Sequence, residues 1–366
     1  MVAISLLDIP PEIQLQIVES VETRQVLKAL SFTSRSLRSI AQSLLFERFK
    51  IDLGMELKGS INDLLANPRI CTAIRFLELR GYFLMRPRRH HDDDEEKLSL
   101  IQKLLPGMVG LREVGISRLY LSQTFMDAFL EVAAKVPLRV NLGWNIYPPC
   151  IGLAPNTSLR ISHLHLAPDV DHSLDFYRLV LSASAAVLTE LHLSADGDGL
   201  MKLADIDLPV LHDVTLLITT DNERSRASVS AFITAQKTIR KLELSGTDRL
   251  LPPLLPNALP NLRELSASPE LVDQLVPGRP LEAIKVSFPR GGDQGWCGEE
   301  VARSTARIRR LRVHPNPEIL VIRMVGRIVT ILPSLESLSL SVFDDVSAHF
   351  ARLSLLICPS GTPHSR

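Results

Sequence analysis

Residues 9–21 read IPPEIQLQIVESV, residues 24–34 RQVLKALSFTS, and residues 35–49 RSLRSIAQSLLFERF. Ile13, Ile17 and Val21 recur every four residues, and Ile9 extends the stripe backwards. That is the spacing of one helix face. Asp8 suits an N-cap, and Pro10 and Pro11 suit a first helical turn, where a missing N–H costs nothing. Thr23 restarts the chain, and Val26, Leu27 and Leu30 give a second apolar edge. Ser34 suits the cap of a third helix, in which Leu37, Ile40, Ala41, Leu44 and Leu45 face inward. The spacing predicts three short amphipathic helices. A module of about forty residues has too little core to be stable alone, so its surplus apolar surface needs a cover.

Behind the helices a six-residue pattern returns: apolar, two others, apolar, one other, apolar. It appears at Ile74-Leu77-Leu79, Leu111-Val114-Ile116, Ile161-Leu164-Leu166, Leu188-Leu191-Leu193 and Leu211-Val214-Leu216. It continues at Ile239-Leu242-Leu244, Leu262-Leu265-Ala267, Leu281-Ile284-Val286, Ile308-Leu311-Val313 and Leu335-Leu338-Leu340, with a weaker strand at Leu138-Val140-Leu142. Seven steps separate Ile161 from Leu335, a mean of about 25 residues, within the range of leucine-rich repeats. Helical patterns fill intervals at 123–136, 173–188, 224–235, 299–308 and 318–332, whereas 250–260 holds four prolines and excludes a helix. Short strands alternating with helices predict the α/β class, with parallel strands inside and helices and loops outside. The domains expected are a helical module (1–50), a repeat solenoid (51–357) and a polar tail (358–366). Two unrelated α/β domains remain an alternative reading of the same pattern.

The first fifty residues resemble an F-box, most like those that open fungal F-box proteins. The resemblance is carried by Leu7, Ile9-Pro10-Pro11-Glu12-Ile13, Ile17, Val21, Leu27, Leu30, Ser34-Arg35-Ser36-Leu37-Arg38, Ala41 and Leu44-Leu45-Phe46. It departs at Ile9, where leucine is usual, and at Thr23-Arg24-Gln25-Val26, which replaces a common acidic turn. The resemblance implies docking on the small Skp-type adaptor of cullin–RING ubiquitin ligases. Adaptor contact would then fall to Ile9, Pro10, Ile13, Ile17, Val21, Leu27, Leu30 and Leu37, some of which also build the module's own core. It further implies a substrate receptor that captures a protein on the repeat arc while other subunits supply the chemistry. A plain helical cap for the repeats, or a ubiquitin-independent scaffold or inhibitor acting through the arc alone, are the other readings.

Leucine-rich repeats usually carry Asn or Cys three residues after the last strand leucine. Here those positions hold Tyr82, Leu119, Asp169, Asp196, Thr219, Thr247, Glu270, Pro289, Asn316 and Phe343, so the solenoid is expected to be irregular.

Forty-one basic and forty-one acidic residues balance, which leaves no global field to draw the chain to nucleic acid or to acidic lipid. Cys71, Cys150, Cys297 and Cys358 lie too far apart for a disulfide framework or a Cys-x-x-Cys site, pointing to reduced thiols in the cytoplasm or nucleus. The longest apolar candidate, 319–332, is broken by Arg323 and Arg327, so no membrane span is expected. No Gly-x-Ser-x-Gly elbow or phosphate loop is present, and neither enzyme activity nor a cofactor is expected.

Alternation along each strand puts Glu78, Gly115, His165, His192, Thr215, Glu243, Ser266, Lys285, Arg312 and Ser339 on one polar face. Lys285, Arg310, Arg312 and His314 make its carboxyl end basic, a candidate surface for a negatively charged patch on a protein substrate. His165 and His192, with His163, are a weaker binding or metal candidate without a tight motif. The runs 86–96 and 291–296 and the triplet Gly197-Asp198-Gly199 are expected to be loops or turns.

Overall fold

A computed structural model describes residues 9–21, 23–53, 58–81, 91–143, 145–147, 157–167, 174–195, 197–247, 249–255, 257–288, 296, 298–314, 327–328, 330–343 and 350–356. The chain divides into two compact units, Met1–Ser184 and Ala185–Arg366.

The first unit opens with α1 (Pro11–Glu19), α2 (Arg24–Leu30) and α3 (Arg35–Glu47). Pro10 occupies the cap position of α1 and Pro11 its first turn, while Ser34 Oγ accepts from the Leu37 amide at 3.2 Å. Asp8 lies outside the described residues. Val18, Leu27, Leu37 and Ala41 close the core of this module, with Val21, Leu30, Ile40, Leu44 and Leu45 packed around it. Helix α1 therefore faces inward through Gln14 and Val18, one residue later than the stripe Ile13–Ile17. Both stripes have helical spacing, and Gln14 tolerates burial because both ends of its amide have a partner. Its Nε2 donates to the Ile9 carbonyl at 2.8 Å, and its Oε1 accepts from Ser36 Oγ at 2.9 Å.

Helix α3 runs directly into strand β1 (Arg48–Asp52), which pairs in parallel with β2 (Phe76–Arg80) after α4 (Lys58–Leu65) and α5 (Pro68–Ala73). After α6 (His91–Leu104) come β3 (Glu113–Ser117), α7 (Gln123–Lys135), β4 (Leu138–Gly143), β5 (Ile161–Ala167) and α8 (Leu174–Ser184). Strands β1 to β5 pair side by side in chain order, all parallel. Their inward row, Ile51, Leu79, Ile116, Leu142 and Leu166, is in register and buried. Helix α7 buries Phe125, Phe129 and Val132, the face its sequence specifies.

The second unit repeats the scheme. It comprises β6 (Glu190–Ala195), α9 (Gly197–Leu203), β7 (Asp213–Ile218), α10 (Glu223–Ala235), β8 (Lys241–Ser245), β9 (Glu264–Ala267), α11 (Pro269–Leu275) and β10 (Ala283–Ser287). Then follow β11 (Arg310–His314), β12 (Ser337–Phe343) and β13 (Phe350–Leu356). Strands β6 to β12 are parallel neighbours in chain order, and Leu191, Val214, Leu242, Leu265, Ile284, Leu311 and Leu338 form one buried row. Each such leucine gains about 1.5–3 kcal/mol from burial. One carbonyl just before a strand takes two amides from the next: His212 from Arg240 and Lys241, Arg240 from Arg263 and Glu264, Arg263 from Glu282 and Ala283. These strands give the α/β class expected, a helical module followed by leucine-rich-repeat strands.

Four expectations are corrected. Acidic residues 92–96 start α6 instead of forming a loop, because carboxylates favour the positive end of a helix. Gly197-Asp198-Gly199 begins α9 rather than a free turn. The interval 299–308 holds only a short 3-10 segment, Glu299–Arg303, before the chain extends into β11. Strand β13 runs antiparallel to β12, against the parallel rule of the repeats. Tyr82, Asp169, Asp196, Pro289 and Asn316, all of 86–90, 291–295 and 318–326, Cys150, Cys297, Cys358 and the tail 358–366 lie outside the described residues.

Candidate functional site

Two surfaces carry the candidate residues, one in each unit. In the first, the expected adaptor residues separate into three groups. Ile13 and Ile17 are 42% and 37% exposed, and Pro10 and the neighbouring Leu15 are also open to solvent. Ile9, Val21 and Leu30 are half-buried. Leu27 and Leu37 belong to the closed core, where they cannot meet a partner without unfolding the module. Val26 on α2 and Phe32 in the following turn, the latter 72% exposed, are further apolar groups that the spacing did not single out. Only the fold separates them, since every one of these side chains is apolar and helical in period.

The module is tied firmly to the strands behind it. Arg75 donates its amide to the Glu47 carbonyl (2.9 Å), and Leu53 donates to Arg80 (2.9 Å). Lys97 of α6, itself buried, donates to the Leu53 carbonyl. An object held by the outer face of α1 would therefore be held at a fixed position relative to β1 and β2.

The second surface is the polar face of the second unit. The row His192, Thr215, Glu243, Ser266, Lys285, Arg312, Ser339 is in register across seven strands, as the alternation specifies. Beside it run Glu190, Asp213, Lys241, Glu264, Ala283, Arg310 and Ser337. Much of the expected basic charge is neutralised internally. Lys285 Nζ lies 3.3 Å from Glu243 Oε1, and Arg310 Nη2 lies 2.7 Å from Glu264 Oε1. In both cases the partner sits two strands away, above a small residue, Ser266 or Ala283. Burial, reinforced by Lys285 and Arg312 and opposed by Glu243, pushes the His314 imidazole below its ordinary range.

His165 stands on β5 in the first unit and His192 on β6 in the second, and His163 Nδ1 pairs with Ser162 Oγ at 2.8 Å. Among the described residues no group of three or more His, Cys, Asp or Glu side chains could hold a metal ion. No described helix is long and apolar enough to cross a membrane. In the first unit, hydrogen bonding to Lys50 and then Arg80 holds the Glu78 carboxyl below its usual range, against partial burial.

One repeat-defining residue escaped the sequence reading. Asn145 stands three residues after Leu142, fully buried, and its Nδ2 donates to the Ile116 carbonyl at 2.8 Å. Its Oδ1 accepts from the Leu119 amide at 3.1 Å. This is the position where leucine-rich repeats carry asparagine, and the weak strand pattern of β4 hides it in the sequence. Gln236 does similar work in the second unit, bonding Ile206 and Leu208.

Residues 6–49 match the family model of the F-box domain. No curated protein matches the chain in sequence. Similar solved structures include the leucine-rich repeat-containing protein LegL7 from Legionella pneumophila, 12% identical, covering 79% of this chain and 93% of that one, with a TM-score of 0.44. Another is the complex of Rad7 and Elc1 in yeast, 10% identical, covering 84% and 87%, with a TM-score of 0.40. The amino-terminal helices thus match an F-box domain, and they are followed in each unit by parallel strands paired in chain order.

Proposed function

We propose that this chain is a non-catalytic substrate receptor of a Skp–cullin–F-box type ubiquitin ligase. The F-box docks on the Skp-type adaptor, and through it on cullin, while the polar faces of the repeats capture a protein substrate. The observation that carries this reading is the division within α1–α3. Val18, Leu27, Leu37 and Ala41 complete the core, yet Ile13 and Ile17, one turn apart on one helix face, stay exposed. An apolar ridge left over after a small core has closed marks an interaction surface. The chain would contribute proximity and orientation, with the transfer chemistry done by other subunits. Work in the cytoplasm or nucleus follows from the same assignment.

Affinity purification of the full chain from cells tests it. Skp-type adaptor and cullin should co-purify with the wild type, and both should be lost from an Ile13→Asp, Ile17→Asp variant that keeps its other partners. Recovery of neither from the wild type would favour a scaffold acting through the repeats alone.

A further inference from the structure

Helices α9, α10 and α11 fill other intervals between strands of the second unit, but the described residues between β8 and β9 form none. Residues 250–255 there read LLPPLL. Leu251 is buried, whereas Leu250 and Leu255 are 57% and 60% exposed. Those two are the most exposed large apolar side chains among the described residues of the second unit. Pro253 is exposed between them, and Pro252 and Leu254 are half-buried.

The run is pinned on both sides to α11 and the turn after it. Gln274 Oε1 accepts from the Leu251 amide at 2.9 Å, and its Nε2 donates to the Leu251 carbonyl at 2.6 Å. Arg279, itself buried, donates to the Ala258 carbonyl at 3.2 Å and to the Leu275 carbonyl at 2.8 Å. Arginine is seldom buried, and this one joins the far end of the run to the end of α11. Leu259 follows in the left-handed region (φ +57°), with its side chain fully buried. A single exposed leucine needs no explanation, but an apolar run held outward between two polar anchors does.

We propose that residues 250–255 are a docking strap for a protein domain whose aromatic-lined groove binds proline-rich segments. Pro252 and Pro253 carry no N–H, which rules out recognition by strand addition at those positions. Leu251 and Pro252 each precede a proline, which favours the extended backbone of a polyproline helix. Such a helix has three residues per turn, and Leu250 and Pro253 are exposed at that spacing. No residue from 250 to 255 is charged, so stacking against rings supplies the contact area. Arg249, exposed at the head of the strap, lies 3.8 Å from Asp221, a carboxylate that already meets Arg226 at 3.0 Å. An acidic side chain at one end of the groove would complement Arg249 and set the direction of the strap. Gln274 and Arg279 order the strap beforehand, which lowers the entropic cost of binding. The strap belongs to a connection and not to the polar strand rows, so it stands whether or not those rows hold a substrate.

The test probes an array of purified SH3, WW and EVH1 domains with the labelled full chain, and calorimetry measures each complex found. At least one domain should bind. Pro253→Ala with Leu255→Ser should weaken that complex about tenfold or more, or roughly 1.4 kcal/mol. Leu250→Ser removes the same exposed edge independently and should weaken it severalfold. Arg249→Glu should also weaken it and reduce its salt dependence. Gln274→Ala should speed amide exchange at Leu251 and weaken binding severalfold, as expected of a positioning residue. Met201→Ser, a change to an exposed apolar side chain on α9, should leave binding as it is. The strap variants alter exposed side chains and should melt close to the wild type. Binding by no domain of the array, or equal losses from the strap variants and Met201→Ser, would overturn the proposal. So would a concentration-dependent dimer that the strap variants dissolve, since a second copy would then cover the strap.

Discussion

Lys285 reaches Glu243 across an intervening strand, 3.3 Å from nitrogen to oxygen, because the residue between them in register is Ser266. Strands two apart stand about 9.6 Å from one another, so only two long side chains above a short one can meet. Both partners are about one-third exposed, which keeps the pair weak. A double-mutant cycle with Lys285→Ala and Glu243→Ala should give a coupling of about 0.2–1 kcal/mol that shrinks in high salt. A coupling that salt leaves unchanged would mean the pair is far drier than its exposure indicates.

The division within the F-box is open to measurement by stability. Leu37 is buried in the module's core, so Leu37→Ala should destabilise it by about 2–5 kcal/mol in urea unfolding. Ile17→Ala, on the outer face, should stay within about 0.5 kcal/mol. Equal losses at the two positions would place Ile17 in the core.

Asn145 holds the turn after β3 by one donated and one accepted bond. Asn145→Ala leaves the Leu119 amide and the Ile116 carbonyl short of a partner, each worth about 1–3 kcal/mol if they stay dry. Amide exchange at Leu119 should speed up in that variant, while exchange in the second unit stays unchanged.

Two left-handed glycines give a paired test. A Cβ at Gly246 (φ +85°) would stand 2.0 Å from the Ile218 carbonyl oxygen, whereas one at Gly278 (φ +75°) would meet nothing within 4 Å. Gly278→Ala should cost only the conformational penalty, about 1–2 kcal/mol, and Gly246→Ala clearly more. Thermal melts of the two variants should rank them in that order.

His314 gives the second unit a pH dependence of known sign. Its folded pKa is depressed by burial, Lys285 and Arg312, so below about 6.5 the unfolded chain binds the extra proton. The stability due to a neutral imidazole is therefore complete above that pH and is lost as pH falls toward the lower folded value. Chemical denaturation of the wild type and of His314→Gln at pH 7 and pH 5.5 should show a smaller loss in the variant. An identical loss would remove His314 as the source.

Period and register were legible in the residues themselves. The apolar triplets fall on buried strand rows, and the central polar row lines up across seven strands as the alternation requires. Strand β1 was not legible, since Phe49, Ile51 and Leu53 continue a helix without a turn residue to separate them. The face of α1 was ambiguous because Ile13–Ile17 and Val18–Val21 are both helically spaced, and a polar residue, Gln14, decides for the second. The basic cluster at 285–314 was visible as charge alone. Its neutralisation depends on the small residues Ser266 and Ala283 two strands in, a relation that exists only in register.

Calorimetric titration of the purified full chain with a purified Skp-type adaptor tests the central claim most directly. Wild type should bind, and the Ile13→Asp, Ile17→Asp variant, with its core residues untouched, should lose affinity by at least a hundredfold while melting at nearly the same temperature. Unchanged affinity in that variant would contradict the account, because the exposed face of α1 would then play no part in docking.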